Sequence, residues 1–304
     1  MSATVERVRA FNRGWTEVLG LLDHSLLRTD HSLAEARVIF ELAQGDSWER
    51  LELRDRLGMD ASFLTRVLGR LEDKGLVAST RSETDGRALD LALTNGGRQA
   101  FHVLDNRSAE QIGELLDPLT QEQRSTLIES MAVISHLVGP RHQDCEVSLR
   151  SLEPGDLGWV VGRHGAVYFD EYGWDTDFEA LVAQIVTDYH TAFKPERENA
   201  WIAEVDGARA GCVFCCERDA ETAQLRILLV EPWARGLGLG TRLVNECVAF
   251  AKEAGFSKVM LWTNDVLVSA RRIYEGVGFE LVEEEEHHTF GHDLVGQNWE
   301  LDLT

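Results

Sequence analysis

The most constraining stretch of the chain is an apolar run that leads through a glycine-rich turn into a helix. Residues 225–230 are apolar enough for a buried strand, which breaks at Pro232. Arg-Gly-Leu-Gly-Leu-Gly follows at 235–240, and residues 241–254 have the spacing of an amphipathic helix. Glycines without Cβ atoms, free N–H groups and the helix dipole favour an anion at such a turn. The segment therefore predicts a site for a phosphate-bearing cofactor.

Two common nucleotide-binding motifs do not fit this turn. A P-loop requires Gly-Lys-Ser/Thr, and Gly240 rather than a lysine stands before Thr241. A dinucleotide fingerprint needs a third Gly or Ala where Thr241 stands. It also needs a tight turn, whereas five residues separate Val230 from Gly236. The sequence does not favour either fold.

The turn and a later helix resemble the GNAT N-acetyltransferases. Arg235-x-x-Gly-x-Gly240 is similar to the motif that binds the pyrophosphate of acetyl-CoA in that family. Ala-Arg-Arg-Ile-Tyr-Glu-Gly-Val-Gly-Phe at 270–279 is similar to its helix that carries a catalytic tyrosine. The resemblance covers residues 146–304. It implies an α/β acyltransferase fold with a mixed, mostly antiparallel sheet, and acetyl-CoA as the cofactor.

The same resemblance implies roles for named residues. Tyr274 would protonate the departing thiolate, and Glu231 is the candidate general base, with a purely structural role as its alternative. Backbone groups at the end of the strand would hold the thioester carbonyl and the cofactor arm. The expected cofactor-binding residues are Leu228, Leu229, Val230, Arg235, Gly236, Leu237, Gly238, Leu239, Gly240, Thr241, Asn264 and Ser269.

An aromatic stretch at 159–174 and a histidine pair at 287–288 indicate the acceptor side. In the resembling family the segment after the first strand forms the acceptor-side wall, and the histidines are expected between the last two strands. An aromatic, partly charged lining suits a small amphipathic amine, although a packed helix corner is the alternative. The expected substrate residues are Arg163, His164, Tyr168, Trp174 and His287.

The first 140 residues predict helices at 5–27, 34–43, 48–57, 61–74, 94–116 and 121–138, and two short strands at 76–80 and 88–93. Asp60 is a plausible N-cap for the fourth helix and Gly75 its stop. Leu64, Val67, Leu68 and Leu71 form one apolar stripe on that helix. A helix, a turn, a second helix and a two-stranded ribbon make a winged helix-turn-helix.

The segment 61–77, followed by Asp-Gly-Arg at 85–87, closely resembles the MarR transcriptional regulators over residues 1–140. The resemblance implies a homodimer on a palindromic site in double-stranded DNA, with the polar face of the fourth helix in the major groove and the wing in the minor groove. A module that only dimerises or binds protein is the alternative. The expected DNA-binding residues are Ser62, Phe63, Thr65, Arg66, Arg70, Asp85 and Arg87.

Charge and composition limit these expectations. The net charge is −22, with 17 Lys/Arg against 23 Asp/Glu in residues 1–145 and 13 against 29 in the rest. DNA binding must therefore depend on a local basic patch. Five cysteines without metal-ligand spacing indicate reduced thiols and no metal site. No run of 18 apolar residues is present and the first residues do not resemble a signal peptide, so we expect a cytoplasmic protein without a membrane span.

Together the patterns predict two domains, a mainly α winged helix-turn-helix at 1–140 and an α/β acetyltransferase at 146–304, joined by a linker at 139–145. The expected function is a transcriptional regulator that is also an N-acetyltransferase for a small-molecule amine such as an amino acid, a peptide or an amine-bearing toxin. One alternative is a regulator that senses acetyl-CoA or another ligand without turnover. A second is an enzyme whose first domain only dimerises it.

Overall fold

The computed structural model describes residues 2–20, 26–81, 89–139 and 145–303. Contacts divide the chain into two compact units, Met1–Thr120 and Gln121–Thr304. The helix at Gln121–Val138 thus packs with the second unit, whereas the sequence placed the domain boundary at residue 140.

In the first unit, a capped helix-turn-helix of α3 (Arg50–Leu57) and α4 (Ala61–Asp73) lies along the chain between β1 (Trp48–Glu49) and β2 (Val77–Arg81). With β3 (Leu89–Leu93), these strands form a small antiparallel sheet in the order β1-β3-β2. The Asp60 carboxylate accepts hydrogen bonds from the backbone N–H groups of Ser62 at 2.9 Å and Phe63 at 3.1 Å, so it caps α4 as predicted. The predicted stripe from Leu64 to Leu71 is buried. The elements are α1 (Ala3–Val18), a 3-10 turn (Leu26–Arg28), α2 (Leu33–Leu42), β1 (Trp48–Glu49), α3 (Arg50–Leu57), α4 (Ala61–Asp73), β2 (Val77–Arg81), β3 (Leu89–Leu93) and α5 (Asn95–Leu116).

Two helix predictions were wrong at their ends. The first helix stops at Val18 rather than at residue 27. Trp48 begins a strand instead of a helix because it pairs with Leu91 and its ring is buried in the core of this unit. Helix α3 starts only at Arg50. The predicted wing turn at 84–86, and with it Asp85 and Arg87, lies outside the described residues.

In the part of the second unit that the structure describes, helices cover both faces of a seven-stranded sheet in the order β4-β5-β6-β7-β8-β10-β9. Its pairs are antiparallel except β7 with β8, which confirms the predicted mixed, mostly antiparallel sheet. The elements are α6 (Gln121–Val138), β4 (Val147–Ser151), α7 (Asp156–Tyr172), α8 (Thr176–Ala192), β5 (Asn199–Val205), β6 (Ala208–Glu217), β7 (Thr222–Val230), a 3-10 turn (Pro232–Ala234), α9 (Leu239–Glu253), β8 (Lys258–Asn264), α10 (Val268–Val277), β9 (Glu280–Thr289) and β10 (His292–Asp302).

The central strand β6 shows how the sheet separates two cores. Val213 and Cys215 pack with residues of α9, while Cys212 and Phe214 pack with residues of α7 and α8. Successive side chains of a strand point to opposite faces, so a continuous apolar run fills both layers. Strands β7 and β8 therefore lie in the sheet between these two layers of packed side chains.

The last hairpin corrects one prediction. His287 and His288 lie within β9, because the strand runs to Thr289 and the turn to β10 is formed by Phe290 and Gly291. The run Glu283–Glu286 is exposed on this edge strand. None of the helices within the described residues is both long and apolar enough to cross a membrane.

Candidate active site

The parallel strands β7 and β8 separate part-way along their length. Their pairing runs from Thr222 with Lys258 to Leu225 with Leu261 and then ends. Beyond this point β7 has an irregularity in its pairing with β6, and Ile227 has a φ of 55°. A β-branched residue seldom adopts this left-handed backbone, and such strain is concentrated at functional sites. The separation leaves the facing backbone groups of 226–230 without a neighbouring strand, available to a ligand.

Two adjoining cavities lie at this separation. The outer cavity, about 490 Å³, is lined by the end of β7, the glycine turn, α7 and the start of α10. The inner cavity, about 150 Å³, is lined by α7, α8, β7, β8 and α10. Tyr168, Leu228, Leu267 and Ala270 line both cavities, which therefore share a boundary at the strand separation.

The glycine turn is shaped for an anion at the mouth of the outer cavity. Gly236 and Gly238 have φ values of 87° and 76°, which a residue with a Cβ atom would adopt only with strain. Gly238 is the N-cap of α9, and no side chain caps that helix. Its first N–H groups are therefore available to phosphate. A Cβ atom on Gly240 would lie 2.6 Å from Ile273 Cδ1, so the backbone and α10 approach closely here.

Most of the expected cofactor residues line the outer cavity. The guanidinium of Arg235 lies 2.8 Å from Glu171 Oε1 and is half-exposed. Asn264 lines the inner cavity instead, and Leu237 packs on the core next to the turn. The others line the outer cavity: Leu228, Leu229, Val230, Gly236, Gly238, Leu239, Gly240, Thr241 and Ser269.

Tyr274 lies on α10 and lines the inner cavity with Asn264. Its side chain is buried, and its ring lies 5.9 Å from that of Phe279. Burial raises the pKa of the Tyr274 hydroxyl well above its usual value because the phenolate would be poorly solvated. The hydroxyl is therefore protonated at neutral pH and able to donate its proton.

Glu231, the expected general base, is engaged in an ion pair. Arg163 donates to both carboxylate oxygens, from Nε at 2.5 Å and from Nη2 at 2.9 Å. The Glu231 side chain is buried, and it raises the pKa of Arg163. A bidentate pair of this kind engages both carboxylate oxygens, which a general base would need for the proton. The geometry thus argues for the structural alternative, and it also turns Arg163 away from a role in substrate binding.

Of the five expected substrate residues, His164, Tyr168 and Trp174 line the inner cavity, whereas Arg163 and His287 line neither. His287 instead contacts a residue that lines the inner cavity, since its Nε2 lies 2.9 Å from Asn264 Oδ1. Phe178 and Trp262 also line the inner cavity and were not expected. Phe178 comes from α8, and only the packing of α8 against α7 brings its ring within 4.5 Å of Tyr168.

Helix α4 presents a polar and basic exposed surface. The guanidinium of Arg66 lies 5.7 Å from the centre of the half-exposed Phe63 ring, and Arg70 lies 3.6 Å from buried Glu35. The hydroxyls of Ser62 and Thr65 bond within the helix, to Asp60 and to the Ala61 carbonyl. Within the described residues, Arg66 is the cation of this face without a carboxylate in contact.

Within the described ranges, no three His, Cys, Asp or Glu side chains lie close enough together to hold a metal ion.

Comparisons with known proteins found a matching family model in each half of the chain. Residues 166–279 match the model of the acetyltransferase (GNAT) family, and residues 30–88 match the model of the MarR family. The chain thus contains one segment that is similar to the MarR family and one that is similar to the GNAT family.

Individual relatives match only parts of the chain. An uncharacterised N-acetyltransferase of Schizosaccharomyces pombe is 29% identical over 129 residues, which are 40% of this chain and 75% of that protein. The HTH-type transcriptional regulator SarZ of Staphylococcus epidermidis is 35% identical over 80 residues, which are 26% of this chain and 53% of that protein. Among solved structures, the spermidine N-acetyltransferase of Vibrio cholerae has a TM-score of 0.42 at 18% identity, over 51% of this chain and 95% of that one.

Proposed function

We propose that the second unit transfers an acetyl group from acetyl-CoA to the amine of a small molecule in the cytoplasm. The observation that carries this proposal is the separation of β7 from β8 directly beside an uncapped, glycine-rich helix start. Together they offer backbone groups to an extended arm and N–H groups to phosphate, which are the two ends of a coenzyme A molecule. Acetyl-CoA supplies the acetyl group as a thioester whose thiolate leaves on transfer.

The chain's own residues account for two of the required tasks. The end of β7 positions the cofactor arm between the cavities, and the Tyr274 Oη proton is available to the leaving sulfur. Neither Asp nor Glu is among the described residues that line the inner cavity, and Glu231 is paired with Arg163. We therefore infer that the amine loses its proton to water rather than to a carboxylate of the chain.

The alternative is a domain that senses acetyl-CoA without turnover. Tyr274 discriminates between the two functions, since a sensor needs the phosphate turn but no buried acid beside the thioester. The test is thiol release from acetyl-CoA by the full-length chain, across a panel of small amines, amino acids and peptides.

We expect Tyr274→Phe to lower turnover by roughly 10²–10⁴-fold with little change in cofactor affinity, since only a proton donor is lost. Tyr189→Phe is the matched control, because Tyr189 is also buried in this unit but lines neither cavity. No thiol release with any amine would favour the sensor, and a normal rate in Tyr274→Phe would make that tyrosine a packing residue.

We also propose that the first unit binds a palindromic site in double-stranded DNA as a homodimer. Its support is the MarR-family match at 30–88 and the exposed surface of α4. Helix α1 exposes Val5, Val8 and Phe11, each to 45% or more, an apolar face suited to a second copy of the chain. Light scattering at micromolar concentration should give the mass of a dimer; the mass of a monomer would count against it.

A further inference from the structure

The inner cavity contains a buried polar atom that lacks a partner. His164 is 2% exposed and lines the cavity, and its Nε2 has no hydrogen-bond partner among the described residues. Its other ring nitrogen, Nδ1, lies 2.8 Å from the Val160 carbonyl oxygen. A carbonyl only accepts, so Nδ1 carries the proton and donates it. In the neutral ring Nε2 is then an acceptor, and leaving it unpaired in a buried site is costly.

The neutral form is the one present at physiological pH. Burial lowers the pKa of His164 to about 4, since the imidazolium would be poorly solvated. The unpaired atom of this lining residue is therefore a buried hydrogen-bond acceptor without charge, which an O–H or N–H donor would satisfy.

The remaining lining fixes the shape and polarity of that ligand. The Phe178 ring lies 4.5 Å from Tyr168 and 4.7 Å from Trp174, so these packed rings form one aromatic wall of the cavity that His164 also lines. The volume is about 150 Å³, the size of cavity that holds a benzene ring. The described lining residues include no carboxylate that would attract the second charge of a polyamine.

We propose that the inner cavity receives the ring of a hydroxyl-bearing arylalkyl monoamine, and that His164 selects it by accepting a hydrogen bond from the ring hydroxyl. This inference depends on the proposed acetyl transfer only in assuming that the bound amine is then acetylated. His164 is thus a specificity residue, and the reacting amine is held on the side of Tyr274.

Two amines that differ by a single hydroxyl test the proposal by calorimetry on the full-length protein. Tyramine should bind roughly 10- to 100-fold more tightly than phenethylamine, because only tyramine satisfies the buried acceptor. The methyl ether of tyramine keeps the oxygen but loses the donor, so it should bind no better than phenethylamine. Spermidine should bind more weakly than either. Equal affinities for tyramine and phenethylamine would overturn the proposal, because the ring hydroxyl would then gain nothing from His164 Nε2.

Variants locate the preference in one side chain. His164→Phe should reduce the ratio of tyramine to phenethylamine affinity to about 1, and His164→Met serves the same purpose if the first variant does not fold. His190→Phe is the matched control, because His190 is exposed on the neighbouring helix α8, and it should keep the wild-type ratio. A ratio that survives both His164 variants would contradict the assignment.

Binding and turnover separate the two proposals. If the tyramine preference is present and depends on His164 but thiol release is absent, the pocket inference stands and the enzyme proposal fails. If other amines are acetylated and the preference is absent, the outcome is the reverse.

Discussion

At the residue scale, two uncharged polar side chains line the inner cavity, and desolvation shifts their pKa values in opposite directions. Burial raises the pKa of Tyr274 and lowers the pKa of His164 to about 4, since each environment disfavours the charged form. The tyrosine therefore keeps a proton that it can donate, and the histidine keeps a lone pair that accepts. A tyrosine is protonated at neutral pH in any environment, so burial matters chiefly for the histidine, which it keeps uncharged.

The buried histidine makes stability depend on pH. Its pKa is about 4 in the folded chain against an ordinary 6.5, so the native state binds the proton less readily than the unfolded state. The stability that it contributes is complete above pH 6.5 and is lost as the pH falls toward 4. The unfolding free energy should drop by about 2 kcal/mol between pH 7 and pH 5 from this group alone.

Urea unfolding at the two pH values measures that drop. His164→Met cannot titrate, so its loss between pH 7 and pH 5 should be smaller than that of wild type by this amount. His190→Met, at an exposed position, should lose as much stability as wild type. Identical pH dependence in all three proteins would show that His164 is solvated in the folded state.

At the element scale, the N-terminus of α9 is the proposed phosphate site, and the backbone of its glycine turn limits which substitutions can test that proposal. Gly238 has a φ of 76°, so a β-branched residue there would strain the turn and confuse a folding defect with a binding defect. Thr241 is exposed in the first turn of α9 and lines the outer cavity. A change at Thr241 leaves the glycine backbone intact.

Thr241→Glu should weaken binding of coenzyme A by roughly tenfold or more, because a carboxylate competes with phosphate at the helix start. The same charge interacts favourably with the helix dipole, so the melting temperature should not fall. Asn245→Glu adds an equal charge at an exposed position farther along α9, away from both cavities, and should bind normally. Equal losses of coenzyme A affinity in both variants would show that the added carboxylate acts through the net charge of the protein and not at the helix start.

The sequence predicted well the features that neighbouring residues specify. It did not predict the features that depend on pairing between distant residues. The Asp60 cap, the apolar stripe of α4 and the strand-turn-helix through Gly240 are each specified by neighbouring residues, and the structure has all three. The bulge at Ile227, the pairing of Trp48 with Leu91 and the approach of Phe178 to Tyr168 depend on residues distant in sequence. The bulge at Ile227 accompanies the strand separation, and the contact of Phe178 with Tyr168 forms part of the inner wall. The sequence therefore indicated the cofactor turn better than the acceptor pocket.

At the scale of the whole molecule, a charge of −22 makes any DNA binding depend on few cations. Arg66 lies on the exposed face of α4 and Arg70 is near Glu35, so Arg66 is the more available of the two. Arg66→Gln should weaken DNA binding and reduce the dependence of log K on log salt by about one for each copy. Arg7→Gln on α1 removes the same charge elsewhere, and a matching loss there would argue against recognition by α4.

Helix α6 is the element that we expect to couple the proposed binding of coenzyme A to the proposed binding of DNA. It follows α5 directly along the chain, yet it packs within the second unit. The His136 ring lies 5.1 Å from that of Trp233, in the turn that immediately precedes Arg235, and its Nε2 lies 2.9 Å from Asp206 Oδ2. Movement of the glycine turn on cofactor binding would therefore reach α6 directly.

Coenzyme A should consequently change the affinity for operator DNA, by a factor of roughly 5 to 150 if it binds one arrangement of α6 better than the other. The measurement is a DNA titration with and without saturating coenzyme A. His136→Ala should shrink that factor while each ligand alone binds nearly as in wild type, because His136 lines neither cavity and lies on neither α4 nor the wing. His190→Ala, on α8, should leave the factor unchanged. If coenzyme A does not alter DNA affinity in the wild-type protein, the two units act independently within one chain, and the contact of His136 with Trp233 only holds α6 in place.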